Sequence, residues 1–245
     1  SFLNYRQDFF KAVGVVSKIH RDIIDTFLSD IAKHSGKENA IHIEQLWRTI
    51  PSQLARQQNE NASRFRFKNV LPGKNGGYRA IAGPLGWLES ARLILRSSIL
   101  DNIGRPLSAY LKENTFKLYF LDCGLLLRMS EISPQEILHY SFGSYKGFIA
   151  ENYVAQELAA GGINNLYSWQ GRTSEIEFVV NSPPGVIPIE VKAGRITQSK
   201  SLKVYCDKYS PQIRIILSAN PGKKTGTTYH VPLYCTGNIL SLFIN

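Results

Sequence analysis

The sequence has few of the residues that build disulfide or metal scaffolds. Its 245 residues include three cysteines and five histidines. The cysteines stand far apart with no CxxC pair, and the histidines form no HxxxH or HExxH motif. An odd number of widely separated cysteines does not suggest a disulfide framework, and zinc sites commonly use the closer spacings that are missing. We therefore expect neither in this chain.

Long apolar runs and nucleotide-binding loops are also missing. No stretch approaches 18 uninterrupted apolar residues, and the first ten residues, SFLNYRQDFF, lack the layout of a secretory signal. No GxxxxGK[ST] motif occurs, and PGKKTGTTY at 221–229 predicts a basic hairpin turn instead. We expect a soluble, cytoplasmic chain that contacts no membrane and binds no ATP by itself.

The charge is high and unevenly distributed. The formal net charge is +10, of which residues 1–130 contribute +8. Residues 131–190 hold seven acidic and two basic residues, whereas residues 191–224 hold eight basic residues and one acidic residue. Carboxylates that hold cations beside bases that neutralise phosphates would give this pattern, and so would an ordinary solvated surface.

The first half of the chain predicts helices followed by paired strands. Apolar spacing indicates a helix through Ile19 and Ile31 that stops at residues 35–36, and a second helix over residues 43–58 that Pro51 kinks or divides. Alternation in RFRFKNV, residues 64–70, predicts a strand with one basic face. A helix over residues 81–91 and strands at 93–100 and 117–121 follow.

Two helices and a paired extended segment resemble a winged helix. Its basic residues would suit contact with the DNA backbone, although winged helices also bind proteins and a basic face is often only solvated. The candidate DNA-binding residues come from this half and from the basic residues of 191–224. They are Arg56, Arg64, Arg66, Lys68, Lys74, Arg79, Arg195, Lys200 and Lys203.

The second half predicts an α/β core. A helix through Phe148 and Leu158 ends at Gly161–Gly162, and strands at 175–180 and 186–193 come next. A helix over 199–209 and a strand over 213–219 complete the pattern.

Three acidic residues and one lysine converge in this core. Glu190 and Lys192 stand two apart on a strand, so both side chains leave the same face, and Glu177 lies on the preceding strand beside Glu175. Glu151 lies on the earlier helix, one inward turn from the same cleft. We expect Glu177 and Glu190 to hold Mg²⁺ or Mn²⁺ and Lys192 to orient water or offset charge in phosphodiester hydrolysis.

Longer segments carry a family resemblance. IEVKA supplies the acid-x-Lys half of the PD-(D/E)xK nuclease superfamily signature, and EIEF stands where its first metal-binding acid belongs. The chain also resembles the domain of unknown function at the C-terminal end of many bacterial and archaeal AAA-type ATPases, from about residue 40 to the end. The segments that match are IPSQLARQ, RPLSAYL, KLYFLDCGLL, ENYVAQEL, SEIEFVV, VIPIEVKAG and SKSLKVYCDKY.

The resemblance implies three parts. Residues 1–39 would be a helical linker from an upstream ATPase domain, residues 40–130 a winged-helix-like domain, and residues 131–245 a restriction-endonuclease-like mixed sheet flanked by helices. It also implies Glu151, Glu177, Glu190 and Lys192 as catalytic residues. The family usually has Asp where this chain has Glu177, and the extra methylene moves the carboxylate by about 1.5 Å, which would weaken metal binding.

Three functions remain open from the sequence. The first is an ATPase accessory module that binds DNA and cuts it with Mg²⁺ or Mn²⁺. In the second, the same fold has lost its metal and recognises only nucleic acid or a partner protein. The third is a structural or oligomerising domain without DNA affinity. Divalent-metal binding separates the first from the second.

Overall fold

The computed structural model describes residues 2–57, 64–68, 70–71, 76–133, 135–136, 139, 143 and 145–243. Helices and strands combine in an α/β arrangement that begins with three consecutive helices. The helices are α1 (Phe2–His34), α2 (Lys37–Gln57), α3 (Tyr78–Ser90), α4 (Cys123–Met129), α5 (Tyr145–Ala160), α6 (Lys200–Tyr209) and α7 (Thr236–Phe243). The strands are β1 (Ile94–Leu100), β2 (Leu111–Phe120), β3 (Leu166–Gln170), β4 (Glu175–Ser182), β5 (Gly185–Val191), β6 (Arg214–Ser218), β7 (Lys223–Thr225) and β8 (Thr228–Pro232).

All these strands lie in one mixed sheet of order β2-β1-β3-β4-β5-β6-β8-β7. β1 pairs antiparallel with β2 and parallel with β3, so the sheet runs without a break from the first half of the chain into the second. β4 and β5 form an antiparallel hairpin, and β6 lies parallel to both β5 and β8. This continuity brings β2 into the same sheet as the acidic strands β4 and β5.

The helices bury apolar side chains against the sheet in two clusters. The larger cluster joins α1–α5 and α7 to the sheet and includes Trp47, whose ring stacks on Phe120 with centroids 5.5 Å apart. The smaller cluster joins α6 to strand residues and contains Trp169 and Tyr205. None of the helices in the described residues is long and apolar enough to cross a membrane.

Most predicted elements are confirmed. α1 ends at His34, and α2 continues through Pro51 as one helix rather than two. α5 ends where Gly162 adopts φ +98°, a left-handed conformation that favours glycine, and Ile163 N–H donates to Leu158 O at 3.0 Å. The predicted basic turn is the hairpin of β7 and β8.

The predicted strand at residues 64–70 is wrong. Residues 64–67 form no strand, although Phe65 is buried while Arg64 and Arg66 are exposed, so the alternation itself is correct. The side chain of Gln53 hydrogen-bonds to both backbone groups of Arg66: its Oε1 accepts from Arg66 N–H at 2.8 Å, and its Nε2 donates to Arg66 O at 3.0 Å. Those groups are therefore used by α2 rather than by a neighbouring strand.

Candidate functional site

Four acidic side chains and two lysines line one cleft of about 290 Å³. The cleft lies between α5, the hairpin of β4 and β5, and the N-terminus of α6. The four residues that the sequence predicts as catalytic all line it. The complete lining is Glu151, Thr173, Ser174, Glu175, Glu177, Glu190, Lys192, Gln198, Ser199, Lys200 and Ser201.

Glu190 and Lys192 form an ion pair along one edge of the cleft. Lys192 follows the last residue of β5, and its backbone N–H donates to Leu217 O at 2.8 Å, which keeps it in line with the sheet. Because the two residues stand two apart, their side chains share a face, and Lys192 Nζ lies 2.6 Å from Glu190 Oε1. Burial by itself lowers the pKa of Lys192. The charge and the hydrogen bond of Glu190 raise that pKa, as do the charges of Glu177 and Glu151, and the net effect is a raised pKa.

The second oxygen of Glu190 is buried without a partner. The side chain of Glu190 is 2% exposed, and its Oε2 finds no hydrogen-bond partner among the described residues. A buried carboxylate oxygen normally accepts a hydrogen bond or binds a cation, because leaving it unsatisfied costs about 1–3 kcal/mol or more. Glu190 Oε2 is therefore available to bind a cation or to accept a hydrogen bond from a ligand.

Glu177 is held beside Glu190 by the backbone. Its Oε2 accepts a hydrogen bond from Val191 N–H at 3.1 Å, and the register that pairs Phe178 with Ile189 puts Glu177 opposite Glu190 one step further along. Burial raises the pKa of Glu177 well above its ordinary value, and the charges of Glu190 and Glu151 raise it further, whereas Lys117 and Lys192 lower it. Two neighbouring carboxylates of this kind resist ionising together.

Sequence reasoning missed Lys117 and Tyr119, which reach the same cluster from β2. Lys117 Nζ lies 3.4 Å from Glu151 Oε2 and also contacts Glu175 Oε1, and the Tyr119 hydroxyl donates to Glu151 Oε2 at 3.2 Å. Burial lowers the pKa of Lys117, but the charges of Glu151 and Glu175 more than compensate and raise it well above its usual range. The only signal in the sequence was the two-residue spacing of a lysine and a tyrosine on an apolar strand.

Glu177 and Glu190 are the two carboxylates of the cleft that could hold a divalent cation. With every group ionised, Glu151, Glu175, Glu177 and Glu190 outnumber Lys117, Lys192 and the exposed Lys200 by one negative charge, and carboxylate oxygens are the ligands that Mg²⁺ and Mn²⁺ prefer. Within the described part of the chain, no three or more His, Cys, Asp or Glu side chains are grouped to hold a metal ion. Mg²⁺ commonly uses one or two carboxylates and takes the rest of its shell from water and phosphate oxygens.

The position of Glu177 predicts a pH dependence of stability. The pKa of Glu177 is higher in the folded chain than its ordinary value of 4.5, so between these two pKa values the folded state binds more protons than the unfolded state. The free energy of unfolding therefore falls as the pH rises from 4.5 toward the folded pKa. Glu177→Gln should remove this slope, which is at most about 1.4 kcal/mol per pH unit for one proton. Urea denaturation of the metal-free chain at pH 5 and pH 7.5 measures it.

The matched control for that experiment is Glu113→Gln on the exposed part of β2. It removes the same charge outside the cleft and should keep the native slope. Equal slopes for the native chain and Glu177→Gln would contradict the prediction.

The predicted DNA-binding residues are exposed wherever the structure describes them. Lys74 lies outside the described residues. Among the others, Lys200 lines the cleft at the start of α6, where Ser199 caps the helix by accepting from Leu202 N–H at 3.0 Å. The exposed residues are Arg56, Arg64, Arg66, Lys68, Arg79, Arg195, Lys200 and Lys203.

Comparison with known proteins gives two family matches. Residues 146–235, which hold α5, the acidic strands, α6 and the basic hairpin, match a family described as Domain of unknown function (DUF4143). Residues 11–136 match a second family. No curated protein and no solved structure matches the chain significantly. Because residues 11–136 are just over half of the sequence, the chain belongs to the family described as Domain of unknown function (DUF8612).

Proposed function

We propose that the chain is a C-terminal module of an AAA-type ATPase that binds DNA and hydrolyses phosphodiester bonds with one Mg²⁺ or Mn²⁺ in the cleft. The observation that carries the proposal is Glu190 Oε2, which is buried without a partner among the described residues and sits beside the carboxylate of Glu177. Support for the ATPase context comes from the match of residues 146–235, because that family commonly occurs in C-terminal regions of AAA-type ATPases.

In this proposal the residues of the cleft have different roles in hydrolysis. Glu177 and Glu190 would hold the cation, which when bound acts as a Lewis acid and lowers the pKa of its water. Glu177 is oriented by Val191 N–H, and Glu190 by Lys192. Lys192 stays protonated at neutral pH because its pKa is raised, and its side chain is 29% exposed, so its ammonium can offset negative charge on a phosphate that enters the cleft.

The element order supports a restriction-endonuclease-like fold for residues 131–245. α5 precedes β3, β4 and β5, and α6 then leads to β6, which lies parallel to β5. We assign residues 40–130 as winged-helix-like on the basis of α2, α3 and the paired β1 and β2. In this assignment the exposed bases of both parts contact the DNA backbone, and the module works in the cytoplasm.

Two observations favour a second function, a non-catalytic module that recognises nucleic acid or a partner protein. Lys117 already supplies positive charge to Glu151 and Glu175, and Glu177 is one methylene longer than the Asp usual in the resembling family. A site neutralised in this way would need no metal to remain folded. The two functions differ in metal binding and in cleavage.

The test compares plasmid cleavage with metal binding. The purified chain should nick supercoiled plasmid in Mn²⁺ and not in EDTA, and calorimetry should detect Mn²⁺ binding. Lys192→Met should keep Mn²⁺ binding and lose at least ~100-fold in cleavage rate, because its ammonium no longer offsets the charge of the transition state.

The matched control is Lys112→Met, which removes an exposed lysine of β2 and should cleave like the native chain. Metal binding without cleavage by the native chain would establish the non-catalytic function. If the native chain neither binds Mn²⁺ nor cleaves DNA, the proposed hydrolysis is wrong.

A further inference from the structure

Lys117 is an enclosed cation at the back of the acidic cleft. Its side chain is 1% exposed, and its ammonium contacts Glu175 Oε1 and lies 3.4 Å from Glu151 Oε2. Tyr119, two residues along β2, donates to the same oxygen of Glu151. A buried ammonium is costly unless it is paired, so this position requires both carboxylates.

The four carboxylates fall into two pairs with different partners. Glu151 and Glu175 bind the ammonium of Lys117, whose side chain is 1% exposed. Glu177 Oε2 accepts a hydrogen bond from Val191 N–H, and Glu190 pairs with Lys192 through Oε1 while its Oε2 has no hydrogen-bond partner among the described residues. Glu151 and Glu175 are therefore paired with an enclosed ammonium, whereas Glu190 is paired with the partly exposed ammonium of Lys192 and keeps one oxygen for a cation from solution.

We infer that Lys117 is a positioning residue that holds Glu151 and Glu175 away from metal coordination, so that the cleft takes one divalent cation at Glu177 and Glu190 rather than two. The inference rests on the proposed function, because it counts the cations that the same site accepts. In two-metal sites the ions stand about 3.5–4 Å apart and share carboxylates between them. Here the ammonium of Lys117 occupies the place that a second ion would need beside Glu151 and Glu175.

The experiment counts bound Mn²⁺ in the native chain and in Lys117→Met. Methionine keeps the length of the lysine side chain and removes its charge, so Glu151 and Glu175 lose the ammonium that Lys117 supplies. Calorimetry and the loss of the free-Mn²⁺ electron paramagnetic resonance signal should give one ion for the native chain and two for Lys117→Met. Adding Glu175→Gln to Lys117→Met removes a ligand of the second ion and should return the count to one.

Lys112→Met is the matched control, since it removes an exposed ammonium from the same strand and should leave the count at one. A purely structural role of Lys117 would change stability without adding an ion. If Lys117→Met unfolds without metal, circular dichroism during a Mn²⁺ titration should report refolding with two bound ions.

The number of bound ions distinguishes failure of the proposed function from failure of this inference. A native chain that binds no Mn²⁺ overturns the proposed function together with this inference. Two ions in the native chain, one ion in folded Lys117→Met, or a Lys117→Met variant that millimolar Mn²⁺ cannot refold overturns the inference alone.

Discussion

Glu190→Gln should weaken Mn²⁺ binding by at least ~100-fold, because it removes the negative charge of the ligand whose Oε2 lacks a partner among the described residues. The amide oxygen of glutamine can still accept from Lys192, and the side-chain volume is nearly unchanged. The folded chain should therefore persist while the metal site is lost. Calorimetry measures the affinity, and urea denaturation of the same samples reports the fold.

Two companion variants make this result specific. Glu113→Gln removes an exposed carboxylate of β2 and should bind Mn²⁺ like the native chain. Glu177→Asp shortens the second ligand and should raise the affinity if the additional methylene displaces the carboxylate from the cation. Native affinity in Glu190→Gln would exclude Glu190 as a ligand.

Reversing the charges of Arg64 and Arg66 to glutamate should weaken DNA binding by at least ~10-fold at moderate salt. Both side chains are exposed next to β2, and the short segment is anchored by buried Phe65 and by the Gln53 side chain, so the reversal leaves its packing intact. If each arginine neutralises one phosphate, the slope of log affinity against log salt should fall by about 1.8.

Fluorescence anisotropy of a labelled duplex at several salt concentrations measures both quantities. The matched control reverses Lys18 and Arg21, two exposed bases of α1 that lie outside the predicted contact surface. It changes the net charge equally and should have the smaller effect. A double Arg64 and Arg66 variant that binds DNA as tightly as the control would remove this segment from the interface.

Periodicity predicted most elements because much of each apolar face is buried as the spacing requires. The helical spacing became α1, in which Ile24 and Ile31 are buried although Ile19 is 49% exposed, and the alternation of EIEFVV became β4. The prediction of a strand at residues 64–70 failed because side chains can be buried alternately in a segment that forms no strand. The hydrogen bonds between the Gln53 side chain and the backbone of Arg66 cannot be predicted from the local sequence. β3, LYSWQ, was not predicted, since its apolar residues are interrupted by Ser168 and form no run like that of β6.

The candidate site was predictable where its residues are close in sequence. The two-residue spacing of Glu190 and Lys192 fixed their common face, and Glu177 followed from the neighbouring strand. Lys117 and Tyr119 were not predictable in this way because β2 reaches the cleft only through the pairing order of the whole sheet. That order depends on β1 lying between β2 and β3, a contact between distant parts of the chain.

The unbroken sheet also bears on how such a cleft can be inherited. Its acidic residues lie in the part of the chain that matches one family, and Lys117 lies in the part that matches the other. A recombination that joined residues 146–235 to an unrelated N-terminal partner would transfer four carboxylates without their buried ammonium. Such a hybrid would carry unbalanced negative charge in its interior until a new cation, from protein or solvent, replaced the lysine.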